Sequence, residues 1–209
     1  SDASTACAIA EALRDQGIDV CLIIGPTALT PPDRCRIVRV ETALEMLAAV
    51  KQQIADVELF FSVAAVADYT PVSPLAQKLK KKDAALELAL KPTTDILAWV
   101  AALPNPPFCV GFAAESENVV EYASKKRQKK KIPMIVANLA TAAIGADKNE
   151  VTVIDASGMT QIGRADKRIV AGKIVDHAVN LYQQMAKSSK TSATSRLRSP
   201  NSKTSGKRR

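Results

Sequence analysis

Short, continuous apolar runs alternate with segments of helical periodicity along most of the chain, and this alternation limits the fold more than any other feature. A continuous apolar run is typical of a strand buried on both faces, which requires helices on either side of the sheet. The pattern therefore predicts an α/β fold, a three-layer, doubly wound (Rossmann-like), mostly parallel sheet. The predicted strands are 20–24, 37–40, 57–66 (the central strand), 108–113, 134–137 and 151–154, and the predicted helices are 6–14, 42–54, 95–103, 119–130 and 167–185.

The positive charge of the chain is concentrated at its carboxyl end. Of the 29 Lys and Arg residues, eight lie from Lys187 onward, where there is no acidic residue, and the remaining 21 balance the 21 Asp and Glu residues. The sequence therefore predicts one domain over 1–187 and a basic, disordered tail over 188–209. The tail is either a solubilising extension or a contact for nucleic acid or an anionic membrane. The neutral, aromatic-poor body argues against nucleic acid as a partner elsewhere.

Several other classes of protein are disfavoured by what the sequence does not contain. No apolar run approaches the roughly 20 residues that span a bilayer, and no signal segment opens the chain, so no membrane association is expected. The four cysteines form no CxxC pair and no zinc spacing, which predicts reduced thiols in a cytoplasmic protein and no metal held by protein ligands. The only histidine, His177, falls in the last predicted helix and is expected to be structural.

A predicted strand end followed by lysines is the first candidate site. The apolar run over 57–66 passes into small residues and one carboxylate, Asp68, and a lysine cluster follows at 78 and 80–82. Ligands of doubly wound sheets bind at the carboxyl ends of the strands, so this arrangement indicates a site for an anionic ligand, with a solvated loop as the alternative. Residues 86–90 are expected to form a hairpin with residues around Lys78.

A second candidate lies on the helix over 119–130. Val119, Ala123, Lys126 and Lys130 share one helical stripe, so the two lysines are predicted to continue the buried side. An inward lysine needs an anionic partner, which is either a ligand phosphate or a carboxylate such as that of Glu115. At the end of the preceding strand, Phe112 either stacks on a flat base or belongs to the core.

Four motifs then give the chain a resemblance to a known family, the phosphopantothenoylcysteine synthetase domain, which in bacteria is usually the C-terminal half of a bifunctional flavoprotein. The resemblance covers roughly residues 7–182. The segments that carry it are Ala64-Ala65-Val66-Ala67-Asp68-Tyr69, Lys78-Leu79-Lys80-Lys81, Gly111-Phe112-Ala113-Ala114-Glu115 and Ile135-Val136-Ala137-Asn138.

The resemblance implies a CTP-dependent ligase that joins 4′-phosphopantothenate to cysteine through an acyl-cytidylate. It also implies Mg²⁺ carried by the nucleotide, no FMN in this half, and a homodimer to which the hairpin contributes. Lys78 would be catalytic, on a flap hairpin that closes over the reacting groups. The residues implied to bind the nucleotide are Ser62, Val63, Ala64, Asp68, Lys78, Asp95, Phe112, Lys126 and Lys130, and Asn138 would bind substrate.

The chain departs from the family pattern at two places. Family members resemble Ser-Asn-Arg-Ser-Ser-Gly-Lys-Met-Gly before the first helix, after a strand, whereas this chain reads Ser1-Asp2-Ala3-Ser4-Thr5-Ala6. The family's Pro-Asp-Ile segment reads Thr94-Asp95-Ile96. Two interpretations follow, either an active ligase of which this is an excerpt or divergent form, or a degenerate, non-catalytic nucleotide-binding or interaction module.

Overall fold

The helices and strands alternate in the order that the sequence predicts. A computed structural model describes residues 3–73, 87–115, 118–139 and 148–196. The helices are α1 (Ala3–Asp15), α2 (Ala43–Gln53, followed by a 3-10 turn at Ile54–Asp56), α3 (Ile96–Ala101), α4 (Val119–Lys130) and α5 (Lys167–Arg196). The strands are β1 (Cys21–Ile24), β2 (Arg36–Arg39), β3 (Leu59–Ser62), β4 (Tyr69–Pro71), β5 (Leu90–Pro92), β6 (Phe108–Glu115), β7 (Met134–Leu139), β8 (Lys148–Ile154) and β9 (Met159–Asp166).

The strands of the described residues form three sheets. Five strands follow the order β3-β6-β7-β8-β9, in which β3, β6 and β7 are parallel and β8 and β9 are antiparallel. β1 and β2 form a separate parallel pair, and β4 and β5 form an antiparallel hairpin. The predicted α/β fold is confirmed, with a sheet that is mixed at its β8–β9 end.

Three details differ from the sequence prediction. The strand predicted over 57–66 is limited to Leu59–Ser62 and lies at the edge of the five-stranded sheet, not at its centre. β9 was not predicted, because Ile162 is its only buried residue and its remaining side chains are largely polar or exposed. The hairpin pairs 69–71 with 90–92, and residues around Lys78 lie outside the described residues.

Two hydrophobic layers cover the sheet. One contains α1 and α5, whose side chains pack on Val110 and Val136, and the other contains α2, α3 and α4, whose side chains pack on Cys109 and Ile135. This alternation follows from the two-residue period of a strand, and it explains why β6 and β7 are continuously apolar.

Gly111, in the middle of β6, is required by close packing. A Cβ atom there would lie 2.8 Å from Ile132 Cδ1 and 2.9 Å from Leu97 Cδ2. The absence of a side chain therefore lets the layer of α3 and α4 approach the strand closely.

The ends of two helices are defined by side-chain caps. The Thr42 hydroxyl accepts a hydrogen bond from the Glu45 amide at 3.1 Å, and the Glu45 carboxylate accepts one from the Glu41 amide at 2.9 Å, an arrangement close to a capping box. Asp95 caps α3 in the same way. These caps satisfy amide groups that would otherwise have no partner at the start of α2 and α3.

The last helix is fixed to the turn between β8 and β9. His177 Nε2 lies 2.7 Å from Asp155 Oδ2, and the other carboxylate oxygen accepts hydrogen bonds from the Ser157 amide and hydroxyl. Asp155 is the only buried charged side chain among the described residues, at 5% exposure. The helix itself continues to Arg196, past position 188 where the disordered tail was predicted to begin, and residues 197–209 lie outside the described residues.

Candidate functional site

The carboxyl ends of β3, β6 and β7 lie side by side at one edge of the sheet. Ser62 is paired with Gly111, and Ala114 is paired with Asn138. The chain leaves β3 through Val63, which is 5% exposed, and then through an exposed Ala64. Ligands of such sheets bind beyond the carboxyl ends of the strands, and residues 62–64, the segment implied to approach the nucleotide, lie at this edge.

Two hydrogen bonds connect the loop after β3 to the start of α3. The Thr93 amide donates to the Asp68 carbonyl at 2.8 Å, and the Thr93 hydroxyl donates to the Ala67 carbonyl at 2.5 Å. The β4–β5 hairpin lies between these two segments in sequence. The side chain of Asp68 is exposed at this point, and Asp95 follows two residues after Thr93.

The carboxylate of Asp95 accepts hydrogen bonds from two groups at once. Its Oδ1 accepts a hydrogen bond from the Ala98 amide at 3.0 Å, and its Oδ2 accepts one from Lys130 Nζ at 2.5 Å. Burial by itself raises the pKa of Asp95, but the hydrogen bonds from Lys130 and Ala98 outweigh it, so the pKa is lowered and the group is ionised at neutral pH. The partner of Lys130 is therefore a carboxylate, that of Asp95. The side chain of Glu115, the example of such a carboxylate given from the sequence, is not among those described.

Lys126 lies one turn before Lys130 and has a different environment. Its side chain is exposed, so the predicted inward orientation holds for Lys130, whose side chain is 19% exposed, and is wrong for Lys126. The reason is that α4 has a narrow buried stripe with Ala123 as its one fully buried residue. The charge of Lys126 still contributes to lowering the pKa of Asp95, after the larger effect of Lys130.

Phe112 and Asn138 belong to a small cavity on the other face of the sheet. The cavity measures about 60 Å³, and Thr5, Phe112, Asn138 and Lys167 are among its lining residues. Lys167 Nζ donates to the Ser4 hydroxyl at 2.6 Å and so connects the start of α5 to the start of α1. Phe112 is half-buried against the core on this face, so both of its predicted roles remain compatible with its position.

Sequence reasoning did not find Lys167 or Thr5. One signal was available, because a lysine at the first position of a helix is electrostatically unfavourable and needs a local explanation. The structure supplies that explanation as the hydrogen bond to Ser4.

The structure thus brings the predicted site residues together in two groups. Asp68, Asp95, Lys126 and Lys130 are connected through the loop segments and α4, on the face covered by α2, α3 and α4. Phe112 and Asn138 lie on the face covered by α1 and α5. The two groups therefore lie on opposite faces of the sheet, and the predicted catalytic Lys78 lies outside the described residues.

The chemistry available at this edge is binding of anions and hydrogen bonding by backbone groups. Within the described residues, no group of three or more His, Cys, Asp or Glu side chains is arranged to hold a metal ion. In the same part of the chain, no helix has both the length and the hydropathy needed to cross a bilayer. Lysines and backbone amides are suited to a phosphorylated ligand.

Comparison with known proteins decides the family. Residues 2–182 match the family described as the DNA/pantothenate metabolism flavoprotein C-terminal domain. The chain belongs to this flavoprotein C-terminal domain family. A solved member, the C-terminal domain of the coenzyme A biosynthesis bifunctional protein CoaBC, is 34% identical, with a TM-score of 0.73 over 90% of this chain and 85% of that one.

Curated members of the flavoprotein family are considerably longer than this chain. The coenzyme A biosynthesis bifunctional protein CoaBC of Vibrio vulnificus is 36% identical over 80% of this chain and 43% of its own length. The Escherichia coli protein of the same name is 35% identical over 85% of this chain and 45% of its own length. The chain therefore spans less than half the length of these relatives.

Proposed function

We propose that this chain is a ligase domain of coenzyme A biosynthesis that joins 4′-phosphopantothenate to cysteine at the expense of CTP. The observation that carries the proposal is the family match over residues 2–182, together with relatives named as coenzyme A biosynthesis proteins. The loop after β3, the amino end of α3 and the lysines of α4 support it, because they combine exposed backbone with positive charge.

The proposed reaction has two steps. A carboxylate oxygen of 4′-phosphopantothenate attacks the α-phosphorus of CTP, and the bond to pyrophosphate breaks, which leaves an acyl-cytidylate. The amine of cysteine then attacks the acyl carbon, the acyl–phosphate bond breaks, and CMP leaves with its electron pair while the amine loses a proton. Both steps depend mainly on positioning and on neutralisation of phosphate charge, for which lysines are suited.

In the proposed reaction, each of the described site residues acts from the position that it has in the fold. Backbone groups of 62–64 approach the nucleotide, and the exposed Asp68 binds it at the same edge. Lys126 supplies positive charge to a phosphate. Lys130, which donates a hydrogen bond to Asp95, adds to the positive charge beside it. Phe112 contacts the base, and Asn138 binds the acyl substrate beside the small cavity. Mg²⁺ enters with CTP and adds to the charge neutralisation.

We further propose that the chain acts as a homodimer in which the β4–β5 hairpin is part of the contact. An isolated two-stranded hairpin is marginally stable in water, and this one exposes Tyr69, Val72, Leu88 and Leu90 at 48–60%. A second copy would cover these side chains. Sedimentation at several protein concentrations distinguishes a dimer from a monomer, and a monomer at every concentration would contradict this part.

The central experiment measures pyrophosphate release from CTP and 4′-phosphopantothenate, with and without cysteine. Release without cysteine, followed by CMP formation when cysteine is added, is the expected result. If a folded chain at high concentration releases no pyrophosphate but binds CTP, the domain is a non-catalytic nucleotide-binding module, and the ligase proposal fails.

Lys78→Gln tests the flap assignment within this reaction. The variant is expected to lose turnover by about a hundredfold or more, because a charge that acts on the transition state is removed, while its circular dichroism spectrum is unchanged. Lys91→Gln is the matched control, since Lys91 is an exposed lysine on β5. Equal rates for wild type and Lys78→Gln would exclude a catalytic role for this lysine.

A further inference from the structure

The last helix is longer than its packing on the domain requires. α5 has 30 residues, from Lys167 to Arg196, and the family match ends at residue 182. Among the described side chains, Tyr182 is the last of α5 to pack on the core. Its ring centroid lies 6.0 Å from that of Phe108, and its hydroxyl donates a hydrogen bond to Glu58 at 2.7 Å. The α5 extension, residues 183–196, continues the helix for about 21 Å.

The α5 extension begins at the edge of the sheet opposite the candidate site. Phe108 is the first residue of β6, and Glu58 directly precedes β3. Because β3 and β6 are parallel, they begin at one edge and end at the other. The contacts of Tyr182 therefore place it at the amino-terminal edge, whereas the candidate site lies at the carboxyl ends of the same strands. A function of the extension is thus independent of the proposed reaction.

The excess positive charge of the chain lies in this extension and in the residues after it. Asp176 is the last acidic residue, and the eight Lys and Arg residues that follow it equal the net charge of +8. Lys187, Lys190 and Arg196 belong to the extension, and the other five lie in residues 197–209. A cationic segment on a formally neutral body attracts a polyanion to one place instead of to the whole surface.

The extension is helical although its composition is unfavourable for a helix. It contains six Ser or Thr residues, which have a lower helix propensity than Ala or Leu. The packed part of α5 supplies the nucleus, so each further residue only propagates an existing helix. Arg196 lies in the last turn, where the helix dipole favours a cation. The helix is therefore held at one end, and a ligand that binds its helical form would stabilise it further.

The composition of the extension distinguishes between the anionic partners available to it. A helix that lies in a membrane surface needs an apolar face, and the extension has only Met185, Ala186 and Ala193 as apolar residues. Proteins that bind single strands stack the bases on aromatic side chains, and no aromatic residue follows Tyr182. Duplex DNA is held by Lys, Arg, Ser and Thr contacts to phosphates, and its major groove of about 12 Å admits a helix. The residues present therefore favour duplex DNA.

From these observations we infer that the α5 extension, with the basic residues after it, is a binding surface for duplex DNA. Lys187, Lys190 and Arg196 pair with phosphates, and serine and threonine hydroxyls donate further hydrogen bonds to phosphate oxygens. Contacts to the phosphate backbone carry no sequence information, so the binding is not sequence-specific. It weakens steeply as the salt concentration rises, because each phosphate contact releases counterions.

Fluorescence anisotropy of a labelled duplex of about 24 base pairs, titrated with the 209-residue chain, tests the inference. At about 50 mM salt we expect a Kd on the order of micromolar, with a logarithmic salt slope of about −0.9 for each phosphate contact. The triple variant Lys187→Gln, Lys190→Gln, Arg196→Gln should bind at least about tenfold more weakly. Its salt slope, measured up to about 200 mM, should be smaller in magnitude by about 3.

Two matched variants separate this surface from general electrostatics. Lys125→Gln, Lys129→Gln, Lys131→Gln removes the same charge from exposed positions on α4 and directly after it, and it should leave the affinity for the duplex unchanged. Ala193→Pro keeps every charge but interrupts the extension, since proline cannot continue a helix, and it should weaken binding. Circular dichroism checks that each variant is folded.

Several outcomes would overturn the inference. Equal affinities of wild type and the α5 triple variant would do so, and so would equal losses in the two triple variants. Unchanged binding by Ala193→Pro would show that the helix is not the binding element. Tighter binding of oligo-dT of the same length would assign the surface to single strands. Binding to vesicles of phosphatidylserine and phosphatidylcholine, without binding to the duplex, would assign it to a membrane.

Pyrophosphate release separates this inference from the proposed function. The α5 triple variant should release pyrophosphate from CTP and 4′-phosphopantothenate at the wild-type rate, because the extension begins at the opposite edge of the sheet. A chain that binds the duplex but releases no pyrophosphate would contradict only the ligase proposal. A chain that releases pyrophosphate but does not bind the duplex would contradict only the DNA-binding inference.

Discussion

The ion pair between Asp95 and Lys130 allows a quantitative test of how α3 and α4 are held together. Asp95→Asn removes the charge but keeps an oxygen that can accept the hydrogen bond from the Ala98 amide, since Asn and Asp are equally good helix caps. Asp95→Ala removes both interactions. The difference between the two variants therefore separates the ion pair from the cap.

The expected magnitudes follow from exposure. The side chain of Asp95 is 50% exposed and that of Lys130 is 19% exposed, so water screens part of the attraction. Measured pairs of this kind contribute at most about 1 kcal/mol, and we expect Asp95→Asn to lower the free energy of unfolding by about that amount. Asp95→Ala should lower it by roughly 2 kcal/mol, because the cap adds about 1 kcal/mol.

Urea unfolding followed by fluorescence is the assay. Trp99 is the only tryptophan of the chain and lies on α3, close to the pair. A double-mutant cycle of Asp95→Asn with Lys130→Gln should give a coupling of roughly 0.5–1 kcal/mol at low salt, which decreases as salt is added. A coupling of zero would refute the pair, and equal stabilities for the Asn and Ala variants would refute the cap.

The same pair has a defined pH dependence. The pKa of Asp95 is lowered in the folded state, so the carboxylate contributes stability above its unfolded pKa of about 3.9 and loses that contribution as the pH falls through the folded value. The stability difference between wild type and Asp95→Asn should therefore be constant near neutral pH and shrink below about pH 4. A difference that grew at low pH would contradict the assignment.

Three further predictions concern the core, the site and the last helix. Gly111→Ala should lower the free energy of unfolding by about 1–3 kcal/mol, since its Cβ would meet two side-chain carbons at 2.8 and 2.9 Å, and a urea midpoint equal to that of wild type would contradict the close packing. Lys126→Gln should raise the KM for CTP about tenfold, while Lys129→Gln, a change at another exposed lysine of α4, leaves it unchanged, and equal effects would indicate unspecific electrostatics. His177→Gln should cost about 1–3 kcal/mol at pH 7 by weakening the hydrogen bonding of Asp155. Burial raises the pKa of Asp155, but its hydrogen bonds lower the pKa by a larger amount. The stability cost of His177→Gln should therefore decrease below about pH 4, where the carboxyl becomes protonated, and a pH-independent cost would contradict the pairing.

Much of the fold could be predicted because burial on both faces leaves a local signature. The helix over 119–130 has the bounds that its periodicity predicts, and the strands that begin at Phe108 and Met134 are continuously apolar because helices cover both faces of them. β9 has no such pattern, because the sequence of an edge strand with one buried residue resembles that of a polar loop. The end of β3 was also overestimated, because apolar residues after Ser62 lie beyond the ladder and apolar content does not record where strand pairing stops.

The candidate site could be predicted only in part. The resemblance identified the segments, but the partner of Lys130 depends on how two helices that are distant in sequence pack together. Sequence periodicity cannot show which carboxylate lies beside Lys130. Periodicity likewise assigned Lys126 an inward position that the narrow buried stripe of α4 does not provide. Lys167 was missed because its hydrogen-bond partner Ser4 lies 163 residues away in the sequence.

The sequence by itself determined the α/β alternation, the family and the identity of the segments at the strand ends, because all three depend on local sequence patterns and motifs. Tertiary structure decided which of these segments meet. It placed Phe112 and Asn138 on one face and Asp95 with Lys130 on the other. These outcomes depend on strand order and on which helix covers which face, and they arise only when residues far apart in sequence pack against each other.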